Sequence, residues 1–156
     1  MKTRLDAFLV ANGHVGSREK AKTLIAAGAV TVNGKIAEKA AQTVSAEDAV
    51  VCDTTALRYV GRGGKKLEKA LSMLDMTVTD RTTMDVGAST GGFTDCLLQA
   101  GAKKVFAIDV GTDQLHPSLR ADERVVVLEQ TDVRDARLLN VLPVGGVDIC
   151  VVDVSF

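Results

Sequence analysis

The sequence predicts an α/β protein: a parallel sheet with helices on its faces, preceded by a small α+β unit. Three observations lead there. From about residue 83 onward short apolar runs alternate with helix-like stretches, the rhythm of a parallel sheet. One of those runs feeds a glycine-rich turn, Asp85-Val86-Gly87-Ala88-Ser89-Thr90-Gly91-Gly92-Phe93-Thr94-Asp95. The charge is also unevenly spread. Residues 1–69 hold 12 Lys and Arg against 7 Asp and Glu, whereas residues 70–156 hold 7 against 13.

In chain order, Thr3 to Ala11 reads as a helix, with Leu5, Phe8 and Leu9 on one face. Asn12-Gly13 ends it. Ser17 is an N-cap for a second helix, Lys20 to Ala27, whose apolar side carries Ala21, Leu24 and Ile25. Gly28 closes it. Val30 to Val32 is a short strand, Asn33-Gly34 a hairpin turn, and Val50-Val51 a returning strand. This is a unit of roughly 50 residues, small but able to fold alone. Asp53 to Gly64 lacks periodicity and reads as a linker. The expected organisation is therefore residues 1–52, a linker over 53–63, and a second domain over 64–156. Lys65 to Leu74 is helical, with Leu67, Ala70, Leu71 and Leu74 forming an apolar stripe. Strands then follow at Thr83–Val86, Val105–Ile108, Val125–Leu128 and Val147–Val152. Helices are expected at Gly92–Ala100, stopped by Gly101, and at Gln114–Leu119.

Composition excludes several classes. At 46% apolar and 25% charged the chain is globular rather than disordered. It has no run of about 18 apolar residues, so no membrane span is predicted. Cys52, Cys96 and Cys150 are far apart and form no C-x-x-C. That disfavours zinc and a disulfide framework, leaving reduced, buried thiols and a cytoplasmic location as the expectation. The basic front half suggests a polyanion partner, against the alternative of ordinary solvated charge.

The glycine turn is not a P-loop, because Phe93-Thr94 stands where Lys-Ser/Thr is required. It is not G-x-G-x-x-G either, because Ser89 replaces the second glycine. The flanking Asp85 and Asp95 disfavour a pyrophosphate. A cationic, adenosine-bearing ligand such as S-adenosylmethionine fits better. Asp109 ends the second strand, 24 residues after Asp85, close to where an acid grips ribose hydroxyls in nucleotide-binding sheets. Asp132, after the third strand, can accept from an adenine amine. The expected cofactor set is Asp85, Gly87, Ser89, Thr90, Gly91, Gly92, Phe93, Asp109 and Asp132. Taken singly, each has a plainer role: Asp95 caps or solvates its helix, Asp132 is a turn residue, the glycines make a tight turn.

Arg4-Leu5-Asp6, Ser17-Arg18-Glu19-Lys20-Ala21, Leu24-Ile25 and Gly28 to Lys35 resemble, in order and spacing, the alpha-L RNA-binding domain. Arg4, Ser17, Arg18, Lys22, Lys35 and Arg62 are the expected RNA-binding residues. The second helix presents its N-terminal amides, Arg18 and Lys22 lie four apart, and Lys35 follows the hairpin turn. Arg4 has an alternative partner in Asp6. Arg62-Gly63-Gly64-Lys65-Lys66-Leu67, the Asp85–Asp95 loop, Asp109 to Leu115 and Asp153-Val154-Ser155-Phe156 resemble the TlyA/hemolysin-A family, FtsJ-like 2′-O-methyltransferases of ribosomal RNA.

The resemblance implies a Rossmann-like S-adenosylmethionine-dependent methyltransferase sheet, of which the chain carries the first four strands. It implies ribosomal RNA or ribosomal subunits as partner and no metal. It also implies a Lys-Asp-Lys-Glu catalytic set. Lys66 matches the first Lys and Asp153 the Asp, with the other two expected beyond residue 156. A 2′-hydroxyl is a poor nucleophile until its proton is removed, which a Lys of lowered proton affinity can do while an Asp orients it. Gly61 stands where the family has Ser. Arg58-Tyr59-Val60 resembles the family's interdomain segment, and Tyr59 is open to stacking or to packing. Three functions remain in view: an enzyme, an RNA-binding fragment without turnover, and a membrane-active hemolysin. The last has little support, since no basic amphipathic helix with a large apolar face stands out.

Overall fold

The computed structural model describes residues 1–61 and 63–154. The chain forms two compact units, one over Met1–Arg58 and one from Tyr59 onward.

In the first unit, helices α1 (Leu5–Ala11) and α2 (Arg18–Ala26) pack over two small sheets. Strand β1 (Thr3–Arg4) pairs antiparallel with β4 (Thr43–Val44). Strand β2 (Val30–Val32) lies between β3 (Lys35–Ile36) and β5 (Val50–Cys52), antiparallel to both. Leu5, Leu9, Leu24, Val30 and Val44 are fully enclosed in its core. Ser17 caps α2 as expected, its hydroxyl accepting from the Lys20 amide at 3.2 Å. The Asn33-Gly34 hairpin is also present, both residues at positive φ.

Two expectations need correcting here. Helix α1 starts at Leu5, not Thr3, because Thr3–Arg4 is extended and bonded to a strand forty residues away. Phe8 is only half-buried and stacks on His14. Strands β3 and β4 were not expected. Two-residue strands carry too little alternation to register in a sequence.

The second unit holds a four-stranded parallel sheet in the order β8-β7-β6-β9: β6 (Thr82–Val86), β7 (Lys104–Ile108), β8 (Val125–Leu128) and β9 (Ile149–Val152). Helix α4 (Gly92–Gln99) links β6 to β7, and α5 (Pro117–Arg120) lies between β7 and β8. The chain steps outward from β6 through β7 to β8, then returns to the other side of β6 as β9. That reversal makes the carboxyl ends of β6 and β9 the switch point, where such sheets bind ligands. Leu97, Val105, Ala107, Ile108 and Val151 lie within the core. Of the thiols expected to be buried, Cys96 is buried, Cys52 in the first unit is partly buried, and Cys150 on β9 is exposed.

Two helices differ from expectation. Helix α5 begins at Pro117 rather than Gln114, because proline belongs in a first turn and His116 caps the Ser118 amide. Helix α3 (Gly63–Met73) starts two residues early, and its stripe is only partly covered. Leu67 is buried and Leu71 half-buried, while Ala70 and Leu74 face outward. The two glycines opening α3 permit its close packing on α4. A Cβ on Gly64 would lie 2.3 Å from Tyr59. Tyr59 is itself buried, and its hydroxyl donates to Glu68. Packing thus accounts for this tyrosine.

Helix propensity alone would make Gly64→Ala stabilising by up to about 1 kcal/mol. The overlap with Tyr59 outweighs that. A net loss of about 1–3 kcal/mol is expected, read as a lower Tm in a thermal melt.

Candidate active site

Strand β6 ends in a turn whose geometry only glycine suits at two places. Gly87 has φ +80°, and a Cβ there would lie 2.6 Å from the carbonyl oxygen of Asp153 and 2.8 Å from Val154. Gly91 has φ +103°, and its Cβ would overlap Leu119 at 2.2 Å. The two glycines serve different ends. Gly87 admits the segment after β9, whereas Gly91 admits the core side chains Leu115 and Leu119. Gly91 therefore acts from behind the loop and is not on the wall of either hollow described below.

The loop is pinned by backbone bonds to β7. The Gly87 and Ala88 amides donate to the Ile108 carbonyl at 2.9 and 3.0 Å. Asp109, the next residue, accepts from the Ser89 amide at 2.7 Å and from the Gly111 amide at 2.8 Å. Ser89 itself sits at φ +52°. Asp109 thus clamps two loops together, a role its sequence position did not announce.

A cleft of about 490 Å³ opens beside this loop. Val86, Ile108, Val110 and Val133 give it apolar walls, and Ser89, Gln114 and Thr131 add polar ones. Asp109, Asp132 and Asp153 line it together with Arg134. Arg134 is committed to Asp132 at 2.6 Å. That pairing, helped by the Arg134 amide, holds the Asp132 carboxyl well below the usual carboxylate range. The walls therefore offer carboxylates and apolar surface, with no uncommitted cation among the described lining residues. Such a set suits a cationic, hydroxyl-bearing ligand and disfavours a phosphorylated one. A second hollow of about 360 Å³ is lined by Gly63, Thr90, Gly92 and Phe93, and shares Gly87, Ser89, Asp153 and Val154 with the first.

Asp85 departs from expectation. It is fully enclosed within β6 and lies on the wall of neither hollow. One carboxyl oxygen accepts from the Thr94 hydroxyl at 2.7 Å, while the other has no hydrogen-bond partner among the described residues. Burial pushes its pKa up to about 6, opposed by Thr94 and assisted by the nearby Asp109 and Asp153. Asp85 thus braces the loop and α4 from behind instead of facing a ligand.

Lys66 and Asp153, 87 positions apart, meet here. The Lys66 Nζ donates to the Asp153 carboxylate, 3.3 and 3.4 Å from its two oxygens. Lys66 comes from the first turns of α3, and Asp153 from the end of β9. Lys66 is 68% exposed and Asp153 46%. The burial that a desolvated base would need is not present; the carboxylate is what holds the amine. Asp95, whose plainer expected role was to cap or solvate its helix, accepts from the Val60 amide at 2.8 Å and ties the chain entering α3 to α4.

In the first unit, Arg4 and Arg18 both bind Asp6. Ser17 caps α2, Lys22 pairs with Glu19 at 3.3 Å, and Lys35 is exposed on β3. Arg62 lies outside the described residues. No group of three or more His, Cys, Asp or Glu able to hold a metal occurs among the described residues. No described helix is long and apolar enough to cross a membrane.

Residues 59–156 match the family described as FtsJ-like methyltransferase, and residues 3–50 match the S4 domain. A 16S/23S rRNA (cytidine-2′-O)-methyltransferase, TlyA of Mycobacterium tuberculosis, is 47% identical over 99% of this chain and 58% of its own length. Hemolysin A of Brachyspira hyodysenteriae is 46% identical over 85% of this chain and 55% of its own. A solved structure from Streptococcus thermophilus that carries a hemolysin name superposes with a TM-score of 0.61 at 42% identity. It is covered over 56% of its length, and this chain over 99%. The chain thus spans a little over half the length of the curated relatives it matches.

Two outcomes are expected. In the unfolded chain Asp85 titrates near the ordinary 3.8, and in the folded chain near 6. The folded state therefore binds the proton more tightly, and that stabilisation is full at low pH and lost as pH rises through about 6. Denaturant melts at pH 5 and 7 should show this loss, and Asp85→Asn should flatten it. Gly87→Ala should cost about 1–3 kcal/mol through strain and overlap, visible as a lower midpoint in the same melts.

Proposed function

The chain belongs to the FtsJ-like methyltransferase family, with an S4 domain ahead of that domain, and from this premise we propose that it serves S-adenosylmethionine-dependent methyl transfer to ribose 2′-hydroxyls of ribosomal RNA. The observation that carries the reading is the Lys66–Asp153 pair, formed at the switch point of the sheet beside an acid-lined cleft. Residues 1–52 are the RNA-binding part, 53–63 the linker and 64–156 the methyltransferase part. Ribosomal RNA as partner places the work in the cytoplasm.

The cleft's donor set fits the cofactor. Asp109 would accept from ribose hydroxyls and Asp132 from an adenine amine, and the valine and isoleucine walls would cover the base. Ser89, Thr90, Gly92 and Phe93 present the loop and the start of α4 to the rest of the molecule. The carboxylates favour its positive charge. When bound, S-adenosylmethionine supplies a methyl group on a cationic sulfur.

The chain's own residues then act on the acceptor. Lys66, held at its Nζ by Asp153, faces the 2′-hydroxyl as an ammonium and stabilises the negative charge that grows on its oxygen as the proton leaves to water, and Asp153 fixes where that nitrogen points. Holding the hydroxyl in place supplies much of the rate. Arg4, Arg18, Lys22, Lys35 and Arg62 contact backbone phosphate, which sets the register of the RNA without reading its bases.

Calorimetric titration of S-adenosylmethionine into the chain tests this. Binding is expected, and Asp109→Asn should weaken it about tenfold, equivalent to about 1.4 kcal/mol. An absence of binding, with affinity for ribosomal RNA intact, would leave the RNA-binding fragment as the better reading.

A further inference from the structure

Asp6 sits in the first turn of α1, fully enclosed. A carboxylate in that position is costly unless it is paired and hydrogen-bonded. Here each oxygen has two donors. Oδ1 accepts from Arg4 Nε at 3.1 Å and from the Ala7 amide at 2.9 Å. Oδ2 accepts from one terminal nitrogen of Arg4 and one of Arg18, each at 2.9 Å.

One oxygen therefore brings together guanidinium groups that start 14 positions apart in the sequence, and their bonded nitrogens can be no farther apart than twice that bond length. Two cations so close repel one another, and the shared carboxylate offsets the repulsion. The cluster keeps a net charge of +1. Both arginines remain about half exposed, at 48% and 54%. Each fork has five N–H donors, of which Asp6 takes two from Arg4 and one from Arg18. Adjacent guanidinium forks with donors to spare match the oxygens of a phosphodiester.

We propose that Asp6 is a positioning residue for RNA binding, holding Arg4 and Arg18 as a paired guanidinium site for one stretch of RNA backbone phosphate. This rests on the RNA-binding reading above. It makes a prediction opposite in sign to simple charge counting. Removing a negative charge from a polyanion-binding surface should tighten binding. Removing Asp6 should weaken it, because the two forks lose their shared anchor.

The test is fluorescence anisotropy of a labelled ribosomal RNA fragment over a range of salt, using the full chain. Asp6→Asn, confirmed folded by circular dichroism, is expected to bind about tenfold more weakly than the unsubstituted chain. Its salt dependence should also be shallower by up to about two phosphate contacts. A second protein, carrying Arg4→Lys and Arg18→Lys, keeps both charges but not the forks. It should bind more weakly at unchanged net charge, and it decides the matter if Asp6→Asn does not fold. A folded Asp6→Asn protein that binds as well as or better than the unsubstituted chain would overturn the proposal. So would unaltered binding by the double lysine protein. Failure of the unsubstituted chain to bind RNA would instead overturn the RNA-binding reading, and this inference with it.

Discussion

Strands β6 and β9 end side by side, and there the backbone after β9 comes so close to Gly87 that no Cβ fits between them. The rest of the site depends on this approach. The Asp153 amide also donates to the Val86 carbonyl at 3.2 Å, extending the ladder by one residue past the end of β9. The approach places Asp153 on the wall shared by both hollows, within reach of Lys66. A side chain on Gly87 would push Asp153 outward, and the carboxylate could not then meet an amine arriving from α3. The glycine is used to admit another part of the protein's own backbone as much as any ligand.

The second dependence is on the chain that enters α3. Gly63 and Gly64 lie where α3 meets α4, and a Cβ on Gly92 would crowd the amides of both at 3.0–3.1 Å. Asp95 holds the Val60 amide, and Tyr59 fills the space over Gly64. Lys66, one helical turn further on, takes its position from these contacts. Small residues at close helix approaches set the path of the backbone, and the functional side chain follows from it.

Two buried acids show two answers to one problem. Asp6 is surrounded by donors, two of them guanidinium groups, and its carboxyl is held well below the usual carboxylate range. The Arg4 side-chain bond is the largest cause, and burial opposes it. Asp85 has a hydroxyl and no cation, so burial prevails and its carboxyl moves the other way. Both residues are closed to solvent, and their partners differ: two guanidinium groups meet Asp6, whereas a hydroxyl meets Asp85. This difference divides their uses too: Asp6 organises charge that faces outward, while Asp85 ties the glycine turn to α4.

The sequence by itself determined what is local or periodic. Ser17 as a cap, Asn33-Gly34 as a hairpin, the apolar runs of β6, β7 and β8, and the glycine turn all follow from spacing and turn chemistry within a few residues. Tertiary structure decided what depends on partners distant in the chain. It shortened α1 because Thr3–Arg4 found Thr43–Val44, and it left half the α3 stripe uncovered. It placed Asp85 behind the loop instead of on its face. It turned Asp109 into a clamp, joined Lys66 to Asp153 across 87 residues, and drew Arg4 and Arg18 onto one carboxylate. Periodicity reports which face of an element is apolar. Which group a side chain meets is settled only when elements far apart in sequence are packed together, because burial and hydrogen bonding act through space and not along the chain.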